Sequence, residues 1–113
     1  MTNEVNWKTE DKERLVEAIL SLKGTAQAER FLRDLLSKGE IEEFAKRLQT
    51  AEMLVAKIPY STIERQTGFS STTVARVSKW LNSGMGGYKE IIAKLNVHHH
   101  PYSKLEKGLS KHA

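Results

Sequence analysis

Apolar side chains recur at three- and four-residue steps through most of this 113-residue chain, and Gly, Pro and hydroxyl residues repeatedly reset the phase. Each stretch between resets predicts one amphipathic helix. "TEDKERLVEAILSLKG" sets Leu15, Val16, Ile19 and Leu22 at helical spacing, with Thr9 as N-cap and Gly24 as the stop. "TAQAERFLRDLLSKG" repeats the scheme, with Thr25 as cap, Phe31, Leu32, Leu35 and Leu36 as the stripe, and Gly39 as the end. "EIEEFAKRLQTAEMLVAK" predicts the strongest helix. Ile41, Phe44, Ala45, Leu48, Ala51, Leu54 and Val55 make one broad face, and Glu40, Glu42 and Glu43 suit the positive end of a helix dipole.

Pro59 breaks that run. A short helix from about Ser61 to Thr67 then precedes Gly68, and a longer one runs from about Ser71 to Ser83. "GMGG" stops it at Gly84 to Gly87, and "YKEIIAKLN" predicts one last short helix. Beyond Asn96 the periodicity is lost, so residues 97–113 read as a basic, His-containing flexible tail. No stretch sustains the two-residue alternation of a strand. The expected fold class is all-α, with about six short helices in one domain over residues 1–96 and a helix-turn-helix at about residues 60–83.

Composition narrows the function classes. At 28% charged and 39% hydrophobic residues the chain resembles an ordinary soluble protein, and it has no apolar run long enough to span a membrane. A cytoplasmic location is the expectation. The absence of Cys rules out disulfides, a thiolate nucleophile and a Cys-based zinc site. The net charge of +4 is unevenly placed: residues 1–59 carry 10 basic and 11 acidic side chains, residues 60–113 carry 8 and 3. The second half therefore suits an anionic partner.

That half also holds "YSTIERQTGFSSTTVARVSKWLNSGMGGYK", Tyr60 to Lys89. Two helices joined by a short Gly-containing turn are what a DNA-binding helix-turn-helix requires. Ile63 anchors the first helix, Gly68 permits the turn, and Phe69 can plug the corner. At 100° per residue, Val74, Val77 and Leu81 share a narrow inward face, while Thr72, Arg76 and Lys79 fall within roughly 60° of one another opposite it. The hydroxyl cluster Ser70, Ser71, Thr72 and Thr73 heads the second helix, where free N–H groups suit phosphate and small side chains permit close approach to a groove. Arg76 and Lys79 can neutralise phosphates. The plainer reading is that one of Ser70 and Ser71 is an N-cap and that the basic face is simply solvated.

The stretch "RLQTAEMLVAK…YSTIERQTGFSSTTVARVSKWLNSGMGGY" resembles the Trp repressor superfamily, and within it the YerC/YecD-like branch, over about residues 35–95. That branch shows a similar Tyr-x-x-Ile segment, Thr-Gly-x-Ser turn, Thr-(Val/Ile)-x-Arg-Val and closing Gly-x-Gly-Gly-Tyr. The resemblance implies an interlocked homodimer whose N-terminal helices wrap the partner subunit. It also implies that Ser71, Thr72 and Ala75 face the bases and that Arg76 and Lys79 lie toward the DNA backbone. In tryptophan-sensing members two arginines sandwich the indole, and Arg47 and Arg76 hold the matching positions here. Those members keep a Gly beside the second arginine, where this chain has Val77, so L-tryptophan is disfavoured and no cofactor is expected. Arg47 then reads as an ion-pairing or phosphate-contacting residue.

Other candidates carry less. His98, His99 and His100 lack a second ligand group at fixed spacing, so no metal site is expected. Trp80 reads as a core or subunit-packing residue and Trp7 as a docking residue of the N-terminal arm. Tyr60 and Tyr88 suit packing at least as well as phosphate. With no Cys, His only in the tail and no phosphate loop, nothing points to an enzyme. The expected function is a sequence-specific DNA-binding regulator, repressor-like, acting as a homodimer on double-stranded DNA. The alternative is a helical protein-interaction module that uses the same basic face on an acidic partner.

Overall fold

The structure is a computed structural model that describes residues 4–98. Six helices follow one another: α1 (Glu10–Leu20), α2 (Thr25–Leu35), α3 (Lys38–Val55), α4 (Tyr60–Thr67), α5 (Ser71–Ser83) and α6 (Gly87–His98). No strand occurs among the described residues. The all-α expectation holds. Most of the tail expected over 97–113 lies outside the described residues, and α6 runs two residues past the Asn96 at which the apolar pattern stops.

The chain divides into two compact units, Met1–Ile41 and Glu42–Ala113. In the first, neither α1 nor α2 buries a single side chain. Leu15, Val16 and Ile19 on α1, and Leu32 and Leu35 on α2, all remain exposed. Three boundaries differ from the sequence expectation, the first being that α1 stops at Leu20 with Ser21 as its cap, short of Gly24 and leaving Leu22 outside the helix. Gly24, at φ 81°, is itself the N-cap of α2, so Thr25 is the first helical residue. Gly39 does not end α2, which stops at Leu35 as Leu36 turns extended. Instead Gly39 sits in the first turn of α3, because Ser37 and Glu40 close a capping box ahead of it. The Ser37 hydroxyl accepts the Glu40 N–H at 3.1 Å, and the Glu40 carboxylate accepts the Ser37 N–H at 2.9 Å.

The second unit holds the core, in two clusters. Met53, Ala56, Ile58, Ile63 and Val74 form one, with Phe69 packed on its edge. Ala51, Val77, Leu81 and Ile92 form the other, with Leu48 and Tyr88 against it. The α3 helix feeds both, since Ala51 and Met53, on nearly opposite faces of its last turns, are both buried. Beyond Val55 the chain is turned by Lys57 in the left-handed region at φ 65°, with the Ile58 N–H returned to the Met53 carbonyl at 3.0 Å. Pro59 then starts α4, its fixed φ suiting a helix entrance.

Candidate nucleic-acid interface

The turn between α4 and α5 is built by backbone chemistry legible in its residues. Gly68 takes φ 78°, a left-handed conformation that L side chains adopt only with strain, and caps α4. Thr67, fully inside, donates its hydroxyl to the Ile63 carbonyl at 2.8 Å and accepts the Phe69 N–H at 3.1 Å. Phe69 is thereby aimed at the cluster around Ile63 and Val74. That contact fixes the angle between the two helices.

Ser70 is the N-cap of α5: its Oγ accepts the Thr73 N–H at 3.2 Å and lies 3.1 Å from the Thr73 hydroxyl. The hydroxyl cluster thus divides by role. Ser70 and Thr73 hold the helix start together, and Ser71 and Thr72 are exposed. The rest of α5 separates cleanly into two faces. Val74, Val77 and Leu81 are buried, while Ala75, Arg76 and Lys79 are exposed. Every residue expected on the outward strip is outward, and every residue expected on the seam is inward. Among the described residues neither Arg76 nor Lys79 finds an ion-pair partner, so both cations remain available for phosphate.

Of the Arg47, Arg76 and Val77 trio, Val77 is interior, Arg47 is half-buried and Arg76 is exposed. Val77 has 0% exposure and its methyl groups pack against Ala51, Leu81 and Ile92. Arg47, on α3, donates to the Glu43 carboxylate at 2.6 Å. Its guanidinium carbon also lies 5.4 Å from the Phe44 ring centre and 5.5 Å from that of Trp80. The ion pair expected of Arg47 is present; the aromatic stack was not foreseen. Phe44 lies one turn back on the same helix, but Trp80 belongs to α5, and nothing in local spacing links it to Arg47. Tyr88 is half-buried. Burial raises its hydroxyl pKa above the usual tyrosine value, and the nearby Arg47 charge works in the opposite direction.

Tyr60 is exposed at the start of α4. A second feature that the sequence did not announce is a groove of about 570 Å³ with Leu54, Leu81 and Ile92 in its floor and Lys57 and Lys89 at its rim. Among the described residues no cluster of His, Asp and Glu could hold a metal ion, and no helix is long and apolar enough to cross a membrane.

Comparison with known proteins extends the geometry. A family model described as Trp repressor protein matches residues 10–96. The chain is 40% identical over 77 residues to the uncharacterized protein YerC of Bacillus subtilis (strain 168), covering 68% of this chain and 74% of that one. Among solved structures it is similar to a TrpR-like protein from Eubacterium eligens ATCC 27750, with a TM-score of 0.77 at 37% identity, over 80% of this chain and 93% of that one. A putative Trp repressor from Staphylococcus aureus aligns with a TM-score of 0.75 at 32% identity, over 80% and 91% of the two chains.

Proposed function

The chain belongs to the Trp repressor family, and on that premise we propose that it is a cytoplasmic transcriptional regulator that reads duplex DNA as a homodimer. The α4–α5 pair is its helix-turn-helix, with Ser71, Thr72 and Ala75 toward base edges and Arg76 and Lys79 toward the phosphates. One observation carries this reading: α5 presents small hydroxyls and available cations on one face while Val74, Val77 and Leu81 are wholly committed to the core on the other. A helix so divided can lie in a major groove without giving up any packing. The homodimer is supported by α1 and α2, whose apolar stripes bury nothing within the chain and so call for a surface from a second copy.

The test is selection of DNA fragments from a random pool by the purified protein, followed by competition against random duplex. Enrichment of a two-fold palindrome bound in strong preference to random duplex is the expected result. Binding with no sequence preference would instead favour a protein-interaction module that uses the same basic face.

No cofactor is part of the proposal. Val77 fills the space beside Arg76 with methyl groups packed on Ala51 and Ile92, and Arg47 is engaged by Glu43 and two aromatic rings. Added methyl groups in a packed site cost about 1–3 kcal/mol. Free L-tryptophan is therefore expected to leave DNA affinity and thermal stability unchanged. Saturable micromolar heat of binding in a calorimetric titration would show that the site accepts it after all.

A further inference from the structure

Arg47 is a junction of three helices. It stands on α3, its guanidinium lies over the Trp80 ring of α5, and its charge acts on Tyr88 of α6. The guanidinium is itself held, by the 2.6 Å bond to Glu43 and the Phe44 ring. Just beyond Trp80, a Cβ on Gly84 would collide with the Trp80 backbone carbonyl oxygen, so α5 ends as it does only because that residue is Gly. Trp80 remains 41% exposed. It is thus not enclosed in the core, and its ring is in contact with the Arg47 guanidinium.

The place of that contact on α5 gives it leverage. Val74, Val77 and Leu81 form a seam only about 60° wide, and contact confined to so narrow an arc resists rotation of the helix about its own axis less than contact spread round it would. At 100° per residue Trp80 lies roughly 90° round the helix from the middle of the seam and roughly 40° from Arg76. A stack at that angle opposes rotation of α5 about its own axis. Rotation is the motion that would turn Thr72, Arg76 and Lys79 away from a groove.

We propose that Trp80 is a positioning residue for the reading helix: through its stack on Arg47 it fixes the rotation of α5, so the DNA-facing strip is set by a contact within the chain. The inference rests on the DNA-binding reading above and adds a specific consequence. The ordering of α5 that a diffusible ligand could supply is supplied here by the protein's own indole.

The test uses the full-length chain carrying Trp7→Phe, in which Trp80 is the sole indole. Affinity for the selected palindrome and for random duplex is measured for this parent, for Trp80→Ala, Trp80→Phe and Arg47→Met, and for the Trp80→Ala/Arg47→Met pair. Trp80→Ala should weaken palindrome binding by about two- to fivefold per reading helix, the range of a partly exposed cation–π contact, and by about four- to 25-fold where a two-fold site engages both. Random-duplex affinity should change less. Trp80→Phe should recover most of the loss, and the pair should lose no more than either single variant, since both remove the same stack. Millimolar indole should partly restore Trp80→Ala and leave the parent unaffected. Unchanged palindrome affinity in Trp80→Ala, losses that simply add in the pair, or dissociation of the Trp80→Ala dimer in sedimentation would each overturn the proposal. A parent with no preference for any duplex would overturn the DNA-binding reading itself, which separates the two failures.

Discussion

Helices α2 and α5 are of similar length and both carry an apolar stripe against a charged face, yet their fates differ. The α5 helix buries Val74, Val77 and Leu81, whereas α2, with Phe31, Leu32 and Leu35, buries nothing. The same contrast separates the two units: every residue of the two core clusters lies at Ala51 or beyond. Amphipathicity is thus a statement of need and not of supply. A stripe says that a helix requires a cover, while the location of the cover depends on chain segments far away or on another molecule. For α5 the cover comes from α3, α4 and α6. For α1 and α2 the proposed cover is a second copy.

The sharpest way to break this contrast is to damage each stripe in turn. Ile63→Ala removes a fully buried side chain from the cluster that holds the turn, and should cost about 2–5 kcal/mol at any protein concentration. Ile19→Glu combined with Leu32→Glu touches residues that are exposed within the chain, so a monomeric protein should tolerate it. We expect the opposite: loss of the dimer in sedimentation and a fall in thermal midpoint that depends on protein concentration. A double variant with parental sedimentation and melting would mean that the first unit's stripes serve no subunit contact.

Within α5 the contrast continues between hydroxyls that build the helix and hydroxyls that face outward. Thr72→Ala should relax discrimination among palindrome variants by about 1–3 kcal/mol while leaving the melting temperature near the parent's. Ser70→Ala should do the reverse, costing about 1 kcal/mol of stability through the missing cap with the ranking of DNA variants kept. Identical behaviour of the two variants would dissolve the division of labour. Arg76→Ala and Lys79→Ala should weaken binding to all sequences alike. Removing the cation from one phosphate should flatten the salt slope by roughly 0.9, and each substitution does so twice in a two-fold assembly. Parental slopes would show that these side chains never reach the backbone.

These differences mark where the sequence was legible. The helix-turn-helix was, because its determinants are local: a Gly that takes the left-handed turn, a Ser that caps, and seam and strip separated by helical phase. The start of α3 was misread for an equally local reason. Gly39 looks like a terminator, but the Ser37–Glu40 capping box overrides it. The Arg47–Trp80 stack was not legible at all. It joins residues far apart in the chain, and each has a ready partner nearer by, Glu43 for the arginine and the α5 seam for the indole.

The smallest effect concerns a residue at the meeting point of the two clusters. Thr50 is fully buried on α3, directly before Ala51 of one cluster and one turn before residues of the other, and its hydroxyl has no hydrogen-bond partner among the described residues. A threonine inside a helix ordinarily returns its hydroxyl to a carbonyl one turn back, as Thr67 does to Ile63. Thr50 does not, so folding strips its hydroxyl of water without replacing that bond, at a cost on the order of 1 kcal/mol or more. Thr50→Val keeps the branched shape and replaces the polar atom with a methyl group, which the surrounding apolar side chains can accept. Stability in denaturant should rise by about 1 kcal/mol, with DNA affinity and sedimentation unchanged. Thr67→Val is the matched control: it loses a bond to Ile63 and leaves the Phe69 N–H without an acceptor, so stability should fall. A loss of stability in Thr50→Val would mean that the hydroxyl meets a partner in the dimer, and the second copy would then reach into the core of the second unit as well as cover α1 and α2.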